Sequence, residues 1–159
     1  MEIQRDRYLS RLIRKKNNGL IKVITGIRRS GKSYLLFNLY YDYLISTGVP
    51  DTNIIMIPLD DVDYEQYCDP FALNEYIKSR IVDRQQEYYV FIDEAQYAIT
   101  HEEMKNTDAP IRLYGVLNSI LRRKNVDVYI TGSNSKFLSS DIMTEFRGRG
   151  DEIHISPLS

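Results

Sequence analysis

Leu20-Ile21-Lys22-Val23-Ile24-Thr25-Gly26-Ile27-Arg28-Arg29-Ser30-Gly31-Lys32-Ser33 is the stretch on which the reading of this chain turns. Leu20 to Thr25 is dominated by Leu, Ile and Val, the pattern of a strand buried in a parallel sheet. Gly26 to Gly31 reads as a loop. A helix follows from about Lys32 to Ser46, with Leu35, Leu36, Leu39, Tyr43 and Leu44 facing inward and Gly48 and Pro50 ending it. Gly26, Gly31, Lys32 and Ser33 match G-x-x-x-x-G-K-[ST] between a strand and a helix, the context in which that pattern signals phosphate binding. Glycines let the loop curl and bring backbone N–H groups to the phosphates, and the helix N-terminus adds partial positive charge. Lys32 would meet the β- and γ-phosphates and Ser33 would offer its hydroxyl to Mg²⁺. The candidate nucleotide contacts are therefore Gly26, Ile27, Arg28, Arg29, Ser30, Gly31, Lys32, Ser33 and Tyr34. A bare glycine turn would need neither Lys32 nor Ser33.

Outward from this loop, helices and strands alternate. Residues 5–17 read as a helix with Tyr8, Leu9, Leu12 and Ile13 on one face. Further strands are expected over Asn53–Leu59, Tyr88–Asp93, Val126–Thr131 and Glu152–Ser156. Asp69-Pro70 starts a helix running to about Val82, with Asp as N-cap and Pro at the first helical position. Pro110 to Arg123 is another helix and 137–143 a short helical piece, whereas 98–109 carries no clear period and reads as a surface loop. The alternation implies an α/β fold, a parallel sheet with helices on both faces. Neither a repeat nor a linker divides the chain, so 1–159 reads as one domain.

Two strand ends carry chemistry. Tyr89-Val90-Phe91-Ile92-Asp93-Glu94 is an apolar strand ending in two carboxylates. Asp93 would hold Mg²⁺ through its waters, and Glu94 would orient and deprotonate an attacking water. The strand at Val126–Thr131 runs into Gly132-Ser133-Asn134, where Asn134 or Ser133 could reach the γ-phosphate or that water, since parallel sheets bind ligands at their carboxyl ends. A turn with a polar cap explains the same residues.

Composition narrows the rest. The chain has 21 basic and 22 acidic residues, a net charge of −1, so it lacks a global field for nucleic acid. Arg11, Arg14, Lys15 and Lys16 form a basic cluster that could touch DNA, but a solvated helix face is the simpler reading. Cys68 is the only cysteine, so no internal disulfide forms and a reducing compartment fits. With neither a signal-like N-terminus nor a bilayer-length apolar stretch, a cytoplasmic protein is expected. His101-Glu102-Glu103-Met104-Lys105 lacks the second histidine of a zinc helix. No Asn-Lys-x-Asp guanine-reading motif occurs, which favours ATP over GTP.

Val23–Ser33, Phe91-Ile92-Asp93-Glu94-Ala95-Gln96, Ile130–Asn134 and Phe146-Arg147-Gly148-Arg149…Pro157-Leu158-Ser159 together resemble the prokaryotic AAA-type ATPases with a G-x-R-R-x-G-K-S phosphate loop. The resemblance covers nearly the whole chain. It implies a sheet of order 5-1-4-3-2, Asp93-Glu94 as the second nucleotide motif and Asn134 as a polar sensor. It also implies that Arg147 or Arg149 contacts a neighbour's γ-phosphate in a homo-oligomer. Such proteins commonly continue into a helical region and a nuclease-like C-terminal domain, which would make this chain the N-terminal part of a longer protein. The leading expectation is an ATPase that drives a conformational change in an attached domain or partner. A small-molecule or nucleotide kinase would use the same loop but needs an arginine-rich lid, which 98–109 lacks. A nucleotide-gated binding module with little hydrolysis is the remaining alternative.

Overall fold

The computed structural model describes residues 2–26, 31–105, 111–133 and 150–155. Its centre is a sheet of five parallel strands: β1 (Ile21–Thr25), β2 (Ile54–Pro58), β3 (Tyr88–Asp93), β4 (Val126–Gly132) and β5 (Gly150–His154). The order across the sheet is β2-β3-β4-β1-β5, the expected 5-1-4-3-2 read from the opposite edge. Register is continuous, with Val23 beside Ile130 on one flank and Glu152 on the other.

The period of two in the strands sorts side chains onto two cores. Val23, Ile55, Ile57, Val90, Ile92, Val128 and Ile130 pack under α4 (Pro70–Arg80) and α6 (Arg112–Leu121), through Leu73, Ile77, Leu113, Leu117 and Ile120. Ile24, Tyr89, Phe91, Tyr129 and Ile153 face the other way, against Leu12 of α1 (Glu2–Lys15) and the helix that follows the phosphate loop. Burying each such side chain contributes about 1.5–3 kcal/mol, so the two-sided core is what holds the sheet's carboxyl ends in fixed relation. No helix among the described residues is long and apolar enough to cross a membrane.

The helix after the phosphate loop departs from the expected register. It begins as α2 (Lys32–Tyr34), widens into a π-helical stretch over Leu35–Tyr40, and resumes as α3 (Tyr41–Ser46). A π turn adds a residue per turn and shifts which side chains face inward. Tyr40 is consequently buried along with Leu35, Leu36 and Leu44, whereas Leu39 and Tyr43 are only half-buried. The simple 3.6-residue period assigned Leu39 and Tyr43 to the core and passed over Tyr40.

The expected loop over 98–109 also needs correction, because His101–Lys105 is a short helix, α5. Thr100 and Glu103 close a reciprocal capping box: Glu103 N donates to Thr100 Oγ1 at 3.0 Å, and Thr100 N donates to Glu103 Oε1 at 2.9 Å. The pattern Thr-x-x-Glu is legible at 100–103, but the segment has no apolar period to draw attention to it. The last strand begins at Gly150, two residues ahead of expectation, and the helical piece expected over 137–143 lies outside the described residues.

Candidate nucleotide site

Strand β1 ends at Thr25, and the helix beyond the loop opens at Gly31, whose φ of 97° and ψ of 10° lie in the left-handed region. A Cβ at Gly31 would meet nothing within 4 Å, so the backbone angle, not lack of space, calls for glycine there. Lys32 and Ser33 follow in the first helical turn, at the carboxyl ends of the strands. Lys32 is 3% exposed. Tyr34, also read as a nucleotide contact, is exposed on the next position. Ile27, Arg28, Arg29 and Ser30 lie outside the described residues, as do Asn134, Arg147 and Arg149.

The two carboxylates at the end of β3 converge on this turn. Ser33 Oγ donates to Asp93 Oδ2 at 2.7 Å, and Lys32 Nζ lies 3.5 Å from Glu94 Oε1. Asp93 and Glu94 are 4% and 5% exposed, respectively, so each charge is held almost out of water. Burial is the main cause that raises the Asp93 carboxyl above the ordinary carboxylate range; hydrogen bonds from Thr131 and Ser33 pull it back, and the neighbouring Glu94 charge pushes it up again. Among the described residues Asp93 has hydroxyl partners but no ion pair. A buried carboxylate beside a serine hydroxyl, lacking a counter-charge, is a donor set of the kind a hydrated Mg²⁺ takes. No group of three or more His, Cys, Asp or Glu residues placed to hold a metal ion occurs among the described residues.

Thr131, near the end of β4, organises both carboxylates. Its Oγ1 donates to Asp93 Oδ1 at 2.6 Å and accepts from Glu94 N at 2.9 Å. The second bond pins Glu94 in a left-handed backbone conformation, φ 54° and ψ 54°. For a non-glycine residue such a conformation costs about 1–3 kcal/mol and persists only where neighbours over-determine it. The turn carries the Glu94 side chain away from the strand direction and back over the sheet end. Ser133 Oγ then donates to it, 2.8 Å from Oε1 and 2.7 Å from Oε2, and Gln96 Nε2 donates to Oε2. Ser133 was one of two candidates at this strand end, and it approaches the carboxylate itself. Thr131 and Gln96 were not singled out from sequence. Their signal was position: Thr131 is the polar residue closing an apolar strand, and Gln96 stands two residues past Glu94.

A buried ion pair of a different kind closes the opposite end of the sheet. Lys22 Nζ donates to Asp127 Oδ1, and both side chains are almost wholly buried, at 0% and 3% exposure. Asp127 Oδ2 accepts from Asn17 N at 2.8 Å and Tyr129 OH at 2.6 Å, while Lys22 Nζ also donates to Asn18 Oδ1 at 3.0 Å. Burial, outweighing the attraction of Asp127, holds the Lys22 ammonium below the ordinary lysine range. This network lies at the amino ends of β1 and β4, away from Lys32.

Comparison with known proteins agrees with this geometry. An uncharacterised protein of Haemophilus influenzae is 35% identical over 157 residues, covering 99% of this chain, which spans only 36% of that relative's length. The fold is shared with Caenorhabditis elegans PCH-2 at a TM-score of 0.63 and 17% identity, over 99% of this chain and 43% of that one. It is also shared with the replication initiator DnaA, solved bound to AMPPCP and single-stranded DNA, at a TM-score of 0.58 and 14% identity, over 92% of this chain and 44% of that one. The family model described as AAA domain matches residues 18–159. Phosphate-loop helix, paired carboxylates and strand order thus belong to a nucleotide-binding, ATPase-like domain, and the chain is a member of the AAA domain family.

Proposed function

We propose that this domain binds ATP with Mg²⁺ and hydrolyses it, and that the cycle drives a conformational change in an attached domain or partner. The observation that carries the reading is the convergence of Lys32, Ser33, Asp93 and Glu94 on one sheet end, with Ser33 Oγ 2.7 Å from Asp93 and Lys32 Nζ 3.5 Å from Glu94. In this reading Lys32 binds the β- and γ-phosphates, and Ser33 and Asp93 hold the hydrated Mg²⁺, which offsets phosphate charge. Glu94 takes a proton from the attacking water. Asn134 acts as a polar sensor of the γ-phosphate, and Arg147 or Arg149 completes the site of a neighbouring copy. An acidic base beside the metal carboxylate favours water over a kinase's acceptor. The DnaA neighbour, with AMPPCP bound, supports an adenine nucleotide as ligand.

Calorimetry and phosphate release on the parent and on Lys32→Ala test this. The parent should bind Mg²⁺-ATP and release phosphate without an added acceptor, and Lys32→Ala should lose tight binding because the β- and γ-phosphates lose their cation. Equal affinity in the two proteins would overturn the phosphate-loop reading. Phosphate transfer only when an acceptor is supplied would favour the kinase.

A further inference from the structure

At the amino ends of β3 and β4, remote from the nucleotide residues, an open groove of about 730 Å³ is walled by the segment after α4 and the turn after α6. Four cations line it: Arg84 on one wall and Arg122, Arg123 and Lys124 on the other. All four are exposed. Among the described residues none of them makes an ion pair, a side-chain hydrogen bond or a ring contact. Other cations of the fold do have partners: Lys15 pairs with Asp151, Arg112 with Glu103, and Lys78 donates to Ser119. Glu87 is the one carboxylate on the lining. Its Oε2 is engaged elsewhere, accepting from Asn17 Nδ2 at 3.1 Å and from Tyr89 OH at 3.4 Å.

Hydrogen bonds tie the walls of the groove to one another. Asn125 Nδ2 donates to the carbonyl of Gln86 at 2.9 Å, and Tyr88 N donates to the carbonyl of Asn125 at 2.8 Å, which staples one wall to the other. Asp83 N donates to Tyr88 OH at 3.0 Å, and Val126 N to the Arg123 carbonyl at 3.0 Å. Four like charges on a stapled frame, in a chain whose net charge is −1, form a local field that overall composition conceals. Past the shared rim of Gln86 and Glu87, a second hollow of about 380 Å³ holds Lys16.

We propose that this groove binds the phosphate backbone of a nucleic acid. Three of its four cations are arginines, whose planar fork suits phosphate oxygens. A concave track continuing toward Lys16 fits a linear polyanion better than a flat membrane surface, and Val82 is the only strongly exposed apolar side chain on the lining. The site is distinct from the proposed ATP site, because Glu87 on the lining immediately precedes β3, whose six residues separate Tyr88 from Asp93 by about 17 Å. Contacts are to phosphates, so binding is sequence-independent.

Fluorescence anisotropy on the full-length protein tests the proposal. The probes are a labelled 20-nucleotide single-stranded DNA, the matching RNA and a 20-base-pair duplex, titrated across salt concentrations. Four phosphate contacts give a log–log salt slope of about −3 on single strands or about −3.6 on duplex, and the stronger probe identifies the preferred form. Arg122→Glu/Arg123→Glu/Lys124→Glu should weaken binding more than tenfold and flatten the slope by about two units on single strands or about 2.7 on duplex. The milder Arg122→Gln/Arg123→Gln pair should weaken it in the same direction, which guards against misfolding in the triple variant. Lys32→Ala, which removes the ATP contact, should bind nucleic acid like the parent, so that failure of the ATP reading and failure of this one are told apart. Unchanged affinity in both groove variants overturns the proposal. So does tighter binding to phosphatidylglycerol vesicles or polyglutamate than to every nucleic acid.

Discussion

Lys32 and Glu94 are paired to each other, Nζ to Oε1 at 3.5 Å, with both side chains buried. The proposed phosphate cation and the proposed base are thus held together as an ion pair. A triphosphate would compete with Glu94 for Lys32 and release the carboxylate as it binds. Site assembly and base release then become one event.

Glu94→Gln separates the two roles. It removes the competitor for Lys32 and leaves Asp93 for the metal. The variant should bind Mg²⁺-ATP at least as tightly as the parent by calorimetry, while phosphate release falls about 10²- to 10⁴-fold. Turnover at the parent rate would remove Glu94 from the chemistry.

Ser133→Ala tests positioning. Loss of the hydroxyl that reaches both Glu94 oxygens should lower kcat between about 10- and 100-fold with KM unchanged, since the base is misplaced rather than lost. Ser133→Thr keeps the donor and should restore most of the rate. A change in KM alone, with kcat intact, would place Ser133 in substrate binding instead.

Arg149→Ala tests completion of the site by a neighbour. An arginine supplied in trans is worth roughly 10³-fold or more in phosphoryl transfer, so specific activity should rise with protein concentration. Mixing Glu94→Gln with Arg149→Ala should recover part of the lost activity, because one interface then holds an intact Arg149 and an intact Glu94. A rate independent of concentration, no recovery in the mixture and a monomer by ultracentrifugation would together exclude it, and Arg147→Ala would be next.

Asp127→Asn should destabilise the fold by about 3–5 kcal/mol in urea denaturation, since it leaves the Lys22 ammonium buried without a counter-charge. Lys22→Met in the same chain should recover most of that loss, because the amide introduced at position 127 can still accept from Tyr129 and Asn17. The sign with pH follows from burial having lowered the Lys22 pKa. Above that lowered value and below the ordinary 10.5, the unfolded chain holds a proton that the folded chain has shed. Stability of Asp127→Asn should therefore climb as pH rises through that window. A penalty below about 0.5 kcal/mol, the scale of a surface change, would sink the argument.

What was legible in the sequence follows from how local each signal is. Gly31-Lys32-Ser33 and Asp93-Glu94 are short motifs bounded by apolar runs, and the strand order came with the resemblance they carry. Asp69 caps α4 as its residue type foretells, accepting from Phe71 N at 3.3 Å. Thr131 and the Lys22–Asp127 pair were not legible, because each depends on which residue of a distant segment stands opposite. Gln96 is a neighbour of Glu94 in the chain, but its contact depends on the left-handed turn at Glu94, which nothing in the residue types announces. Lys22 inside an apolar run gives no hint that its partner lies 105 residues on. Tyr40 was missed for a different reason: one π turn changed the phase of the helix carrying it.

The Lys22–Asp127 pair also constrains how this domain can be recombined with its relatives. Lys22 lies beside Tyr129 in the sheet, and Asp127 stands two residues earlier on the same face of β4. A slip of β4 by one residue would turn Asp127 to the opposite face and strand the ammonium in the core. A chimera that imports β1 from one parent and β4 from another must therefore carry both halves of the pair or neither. The two strands behave as a single exchange unit despite their distance along the chain.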